Sequence, residues 1–259
     1  MSSKLRIAIV KLTSCSGCLV QFLNLEDELP ELLKFVDFAY FLEVDGEPRS
    51  GPYDATFIEG SVTTEDEIKV IKKFRNESKV VIALGACSTT GGIQALRNWS
   101  NIEEFKKYVY PRPEWIETLN ESRPIADFIK VDYELGGCPV NKELLLYFIK
   151  QLLGGKRPTM PTESVCNECK RKGIQCVIIS KGIPCLGPVT RAGCGALCPS
   201  YGRGCYGCQG PARGINPLAL AKRFEEMGLS KEDIILIFKG ITSWSKEFRE
   251  VIKRYERRD

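Results

Sequence analysis

The sequence predicts an α/β fold: a doubly wound parallel sheet, then a cysteine-rich segment with little regular structure, then helices. Three observations predict it. From residue 5 to 155, short apolar runs alternate with amphipathic stretches. Glycines stand at the ends of several of those runs. Between 166 and 208 the composition changes to eight Gly, eight Cys, three Pro and only eight Val, Ile or Leu, too few apolar residues for a core.

Arg6–Lys11 (RIAIVK) reads as a buried first strand, with a helical pattern from about Val20 to Phe35. Phe35–Leu42 is the second strand and Asp54–Glu59 (DATFIE) the third, ending in Glu59-Gly60-Ser61. Thr64 and Glu67 form a capping-box signature for a helix over Glu65–Asn76. Lys79–Leu84 (KVVIAL) is the fourth strand and runs into Gly85-Ala86-Cys87. Ala126–Val131 is the fifth, before Gly136-Gly137-Cys138-Pro139, and Asn141–Leu153 is a helix stopped by Gly154. Strands alternating with helices imply a parallel sheet covered on both faces. Beyond Gly210, Asn216-Pro217 opens a helix over Leu218–Met227, Ser230 caps Lys231–Phe238, and Ser243 or Thr242 caps Trp244–Arg257.

At 259 residues, 43% hydrophobic and 27% charged, the chain suits one large domain or two smaller ones. No apolar run approaches the ~18 residues of a membrane span. A net charge of +4, with both signs interspersed, is not the footprint of a nucleic-acid binder. The basic tail Lys253–Arg258 fits the solvated face of an amphipathic helix or a partner contact. The start, Met1 to Arg6, leads straight toward a strand without an export signal, so a cytoplasmic location is expected. There thiols stay reduced, and cysteines read as ligands rather than disulfides.

The chain has twelve cysteines and no histidine. Cys15 and Cys18 follow strand one, Cys87 follows strand four and Cys138 follows strand five. Those loops share the carboxyl edge of the sheet, where open α/β sheets bind ligands. Neighbouring glycines permit the close backbone approach that a bulky group needs. Four ordinary buried cysteines would share this edge only by chance. The other eight are Cys166, Cys169, Cys176, Cys185, Cys194, Cys198, Cys205 and Cys208. Ordering their segment costs roughly 1–2 kcal/mol per residue, a total of tens of kcal/mol. A structural tetrathiolate site supplies about 10–16 kcal/mol of apparent folding energy. The segment is therefore expected to be unfolded without its inorganic centres.

Twelve thiols make three sets of four, the ligand shell of a tetrahedral zinc or of an iron–sulfur cluster. The first four are spread unlike any compact zinc module. Three all-cysteine sites in one chain make sense for electrons, and zinc has no redox chemistry. Iron–sulfur is the favoured reading, with a zinc-stapled scaffold as its competitor. No G-x-G-x-x-G nucleotide fingerprint is present.

Thr13-Ser14-Cys15-Ser16-Gly17-Cys18, Glu59-Gly60-Ser61, Gly85-Ala86-Cys87 and Gly137-Cys138-Pro139 resemble the flavodoxin-like domain of nickel–iron hydrogenase small subunits. Pro184-Cys185-Leu186-Gly187-Pro188, Gly193-Cys194 and Cys205-Tyr206-Gly207-Cys208 resemble the cluster-bearing region of the same family. The resemblance implies a flavodoxin-like domain over 1–157 and a cluster domain over 158–259. It implies three 4Fe-4S clusters: a proximal one on Cys15, Cys18, Cys87 and Cys138, a distal one on Cys166, Cys169, Cys176 and Cys185, and a medial one on Cys194, Cys198, Cys205 and Cys208. Cys166 stands where exported members carry histidine. Cys198 stands where they carry proline and hold a 3Fe-4S medial cluster.

Both departures point to the cytoplasmic sulfhydrogenase type. Its small subunit works with a nickel–iron alpha subunit, a flavin (FAD) and NAD(P)-binding gamma subunit and an iron–sulfur beta subunit. The implied function is relay of electrons between the nickel–iron site and that flavin, NAD(P) or sulfur-reducing partner, with no catalytic residue on this chain. Ser16 is either a hydrogen-bond donor to a cluster sulfur or an ordinary loop serine. Glu59 either faces the partner or is a loop carboxylate. An alternative is the iron–sulfur subunit of a quinone-reducing complex of the same family, whose members carry adjacent cysteines in place of Cys15-x2-Cys18 and lack the eight-cysteine extension.

Overall fold

The computed structural model describes residues 4–44 and 46–257. The basic tail expected over Lys253–Arg258 is therefore described only as far as Arg257, and Arg258 lies outside the described residues, as do Met1–Ser3. Five strands, β1 (Leu5–Lys11), β2 (Val36–Phe41), β3 (Tyr53–Glu59), β4 (Ser78–Leu84) and β5 (Tyr133–Leu135), form one sheet in the order β2-β1-β3-β4-β5. All pairs are parallel; β1 runs beside β3 from Ile7 opposite Ala55 to Lys11 opposite Glu59. This is the flavodoxin-like order, with its switch point between β1 and β3.

Strand alternation sends Ile7 and Ile9 to one face of the sheet and Ala8 and Val10 to the other. The first face is covered by α1 (Gly17–Leu23), with Phe22, and by a later helix through Phe148 and Ile149. Between them lie a 3-10 turn (Glu26–Glu28) and α2 (Leu29–Leu32). The helix expected from Val20 to Phe35 is thus broken. Pro30 has no N–H to continue the ladder, and Glu26 adopts a φ of 32°. The opposite face is covered by α3 (Glu65–Glu77), through Ile71 and Phe74, and its Thr64–Glu67 capping box is formed as expected.

Within the sheet region, two of the described helices have no counterpart in the sequence pattern: α4 (Gly85–Thr90), which carries Cys87, and α5 (Ile102–Val109). The fifth strand lies downstream of the expected Ala126–Val131. Residues Ile125–Asp127 form a 3-10 turn, with Ile125 fully buried, and pairing begins only at Tyr133. The reason is Asp132, whose carboxylate accepts the Val81 N–H at 2.9 Å and pairs with Arg75 at 2.5 Å. A side chain there occupies the β4 edge that a strand over 126–131 would need. The helix α6 (Lys142–Leu153) begins at Asn141, whose side chain accepts the Leu144 N–H, and ends at Gly154.

The cysteine-rich segment contains only short helices: α7 (Val165–Arg171), α8 (Val177–Lys181) and α9 (Leu197–Ser200). Its own cluster of buried residues is small: Val165, Val177, Ala196, Cys185 and Cys205. It leans on a larger core made by α10 (Pro217–Glu226), α11 (Lys231–Phe238) and α12 (Lys246–Glu256), where Phe224, Phe238 and Phe248 meet Leu186 and Val189. The last helix starts two residues later than expected. The Thr242 hydroxyl donates to the Gly207 carbonyl and the Ser243 hydroxyl accepts the Trp99 indole N–H, so neither caps it. Trp99 and Trp244 also meet edge to face at 5.4 Å and join this core to the sheet.

Candidate functional site

The first four cysteines meet at the carboxyl edge of the sheet. Cys15 and Cys18 stand in the loop and first turn after β1, Cys87 in the turn after β4, and Cys138 in the loop after β5. The backbone ties these loops together. Leu12 N–H donates to the Glu59 carbonyl, Ser61 N–H to the Thr13 carbonyl and Ala86 N–H to the Gly137 carbonyl. Burial pushes the Cys18 thiol up to about 12, with contributions from the charges of Glu59, Cys87 and Cys138. It pushes Cys87 up to about 11, with Glu59, Cys138 and Cys15 adding to the rise. Cys138 is raised as well, by burial and then by Cys15 and Glu59. Cys18, Cys87 and Cys138 therefore each lie in the field of others of the same set.

The remaining eight also influence one another, and Cys185 feels both Cys176 and Cys198. Burial raises Cys166 and then Cys185 and Cys176 add to it. Cys169 reaches about 11 through burial, Cys166, Cys185 and Cys176. Cys194 is raised by burial, and Glu168 and Cys198 add to that. Cys208 is pushed to about 11 by burial, with Cys194, Cys198 and Cys138 contributing. Cys205 is raised by burial, and Cys185 and Cys208 add to it. Two links join the sets. Gly137 N–H donates to the Cys208 carbonyl at 3.1 Å, and Cys205 N–H donates to the Cys185 sulfur at 3.1 Å.

The donors and the glycines around the thiols suit an iron–sulfur group. Backbone N–H groups of Gly17, Val140, Gly187 and Gly207 point at the sulfurs of Cys15, Cys18, Cys185 and Cys205, each at 3.4 Å. Such donors stabilise thiolate charge and tune a cluster. Glycines cradle the thiols: a Cβ on Gly92 would stand 2.6 Å from the Cys87 sulfur, and one on Gly187 would stand 3.2 Å from that of Cys185. A Cβ on Gly85 would collide with the Cys18 sulfur. Among the described residues, no three Cys, Asp or Glu side chains are drawn together around a single ion.

Glu59 is buried at the end of β3, 1% exposed, and accepts the Ser14 hydroxyl; burial raises its pKa against that bond. It is therefore neither a surface loop carboxylate nor a residue facing outward. Ser16 precedes α1 in the left-handed region, φ 64°, and its N–H donates to the Ser14 hydroxyl at 3.2 Å. Three neighbours of the thiols carry no signal in the sequence. The Gln94 side chain lies beside Cys87 and donates to the Thr13 carbonyl at 3.1 Å. Thr190 bonds Cys205, and Glu168 binds the Cys194 loop. Glu168 lies inside the Cys166-x2-Cys169 pair, but nothing in that pair points to the Cys194 loop. Only Gly91-Gly92, just before Gln94, hints at close approach.

Fold and thiol arrangement together define a class: a flavodoxin-like chain that gathers cysteines at the carboxyl edge of its sheet and extends into a cysteine-rich domain. The family described as NADH ubiquinone oxidoreductase, 20 Kd subunit, matches residues 15–152. The delta subunit of sulfhydrogenase 2 from Pyrococcus furiosus is 34% identical over 93% of this chain and 100% of its own length. A subunit of the F420-non-reducing hydrogenase vhu of Methanocaldococcus jannaschii is 36% identical over 79% of this chain and 81% of its own. A crystal structure of an NAD+-reducing [NiFe]-hydrogenase in the H2-reduced state contains a chain 30% identical to this one, with a TM-score of 0.57 over 61% of this chain and 96% of that one. The chain belongs to the NADH ubiquinone oxidoreductase 20 Kd subunit family, in the branch formed by the small subunits of hydrogenases.

Proposed function

We propose that this chain is the electron relay of a nickel–iron hydrogenase, with a flavodoxin-like domain over 1–157 and a cluster domain over 158–259. Cys15, Cys18, Cys87 and Cys138 hold the proximal 4Fe-4S cluster. Cys194, Cys198, Cys205 and Cys208 hold the medial one, and Cys166, Cys169, Cys176 and Cys185 the distal one. When bound, such clusters accept and release single electrons at potentials set by charge, hydrogen bonds to sulfur and exposure.

One observation supports this reading: contacts between cysteines link the three proposed sets in turn. Cys138 meets Cys208 and the Cys205 N–H donates to Cys185, while Cys15 and Cys138 of the proximal set and Cys176 of the distal set are exposed. The exposed cysteines of the proximal and distal sets would give electrons an entrance and an exit. The backbone N–H groups hold the sulfurs in place and favour their charged form. The raised thiol pKa values mean that each set takes up its cluster with release of protons.

The nickel–iron site belongs to a large alpha subunit packed over the proximal end. The distal end serves a flavin (FAD) and NAD(P)-binding gamma subunit together with an iron–sulfur beta subunit, in the cytoplasm. Names of the relatives support these assignments: sulfhydrogenase for one and an NAD+-reducing hydrogenase for another. Among the described residues, no helix is long and apolar enough to cross a membrane. The family description also favours a quinone-reducing complex, but its match ends at residue 152, before the eight later cysteines. Anaerobic pull-down of this chain from native cells separates the two. A co-purifying nickel-containing large subunit supports the hydrogenase, whereas a membrane quinone complex would overturn it.

A further inference from the structure

Glu168 sits in α7 between Cys166 and Cys169, yet its carboxylate leaves that helix and enters the loop around Cys194. Its Oε1 accepts the N–H of Gly193 at 2.9 Å and of Gly195 at 3.1 Å. Its Oε2 accepts the Ala196 N–H at 3.0 Å and lies 3.9 Å from the Cys194 sulfur. Three amides converge because the loop is left-handed: φ is 130° at Gly193, 64° at Gly195 and 53° at Ala196. Successive N–H groups in such a turn make an anion-binding concavity. Here the anion is a side chain of the same protein. Lys172, one turn further along α7, donates to the Gly195 carbonyl at 2.5 Å and closes the loop from its other side.

The choice of a carboxylate is telling. Between 166 and 208 there are six Lys or Arg and one acidic residue, and Glu168 is that residue. A neutral glutamine could still accept from Gly193 and Gly195 through its one amide oxygen, but not from Ala196 as well. A full negative charge whose Oε2 stands 3.9 Å from the Cys194 sulfur also opposes any further negative charge there.

We propose that Glu168 is a positioning residue that locks the medial and distal cysteine sets together and, through its charge, holds the potential of the centre on the Cys194 side low. The inference rests on the cluster assignment above. One-electron reduction adds a negative charge to a cluster, so a fixed carboxylate nearby disfavours the reduced form. Lys170, Arg171 and Lys172 beside it are exposed and screened, whereas Glu168 is half-buried.

The test is an electron paramagnetic resonance redox titration of the anaerobically purified hydrogenase complex, with iron counted in parallel. Glu168→Gln keeps an acceptor oxygen and removes the charge. It should retain the wild-type iron content. The medial midpoint should move positive enough to raise the reduced-to-oxidised ratio about tenfold at fixed applied potential, about 59 mV for one electron. The proximal midpoint should stay in place. Glu168→Ala frees the three amides and should lose iron, which Glu168→Gln restores. Unmoved midpoints in iron-replete Glu168→Gln would overturn the electrostatic role. Iron loss in Glu168→Gln as large as in Glu168→Ala would overturn the bracing role. A wild-type complex with iron for fewer than three clusters would remove the reading beneath the proposal, and with it the proposal.

Discussion

Gly92→Ala tests whether the sheet edge is shaped around a sulfur. Gly92 adopts φ 60° and ψ −153°, a region that only glycine enters freely. Forcing alanine there costs about 1–3 kcal/mol. The new methyl would also stand 2.6 Å from the Cys87 sulfur, 2.7 Å from the Cys87 Cα and 3.0 Å from Gln94 Oε1. Two of those atoms belong to the residue that must hold the proximal cluster, and overpacking of that kind costs about 1–3 kcal/mol more. The sum, about 2–6 kcal/mol, is a large share of a typical domain's total of about 5–15 kcal/mol. At about 2–4 °C per kcal/mol it lowers the unfolding midpoint by roughly 5–20 °C. Displacing Cys87 should also reduce bound iron by about a third, one cluster of three. Gly155→Ala is the control, because Gly155 has a φ of 64° with nothing within 4 Å of the added methyl. It should cost about 1 kcal/mol and no iron. Calorimetry and iron analysis on anaerobically purified protein provide both readings. If Gly92→Ala keeps its iron and melts like Gly155→Ala, the cradle around Cys87 has been misread.

Three further outcomes are expected. Cys198→Pro, in the first turn of α9 where proline is tolerated, should convert the medial centre to a 3Fe-4S signal in electron paramagnetic resonance; an unchanged spectrum refutes that ligand assignment. Stripping the clusters with chelator and oxidant should open the exposed Lys170–Lys172 run to trypsin while the sheet stays protected; equal resistance before and after would show that the segment folds without metal. Burial alone would raise the Asp132 pKa, but the Val81 N–H and Arg75 pull it below the usual carboxylate value. That stabilisation is present above the unfolded pKa of about 3.9 and is lost as pH falls through the lower folded value. Asp132→Asn should therefore destabilise the protein by about 1–3 kcal/mol at pH 7, with the gap from wild type closing in acid; a gap constant with pH would contradict it.

Much of this structure is readable from local pattern. Buried strands such as Arg6–Lys11 and Lys79–Leu84 are unbroken apolar runs, and the Thr64–Glu67 and Ser230 caps have their side-chain partners within three residues. The sheet edge shared by Cys15, Cys18, Cys87 and Cys138 follows from strand order alone. What escapes a local reading depends on distant partners. Asp132 moves β5 downstream through Arg75 and Val81, 57 and 51 residues away. Ser243 and Thr242 look like caps but are used by Trp99 and Gly207. Glu168 and Gln94 carry no local signature, because their targets are backbone groups and a thiol in other loops.

The central claim is that three quartets of thiolates hold iron and sulfide. Iron, acid-labile sulfide and zinc should be measured on the anaerobically purified complex, with this chain's share resolved from its partners' by dissociation. The account predicts about twelve iron and twelve sulfide per chain, three clusters of four, and no zinc. Fewer than about eight iron, or zinc in their stead, would contradict it.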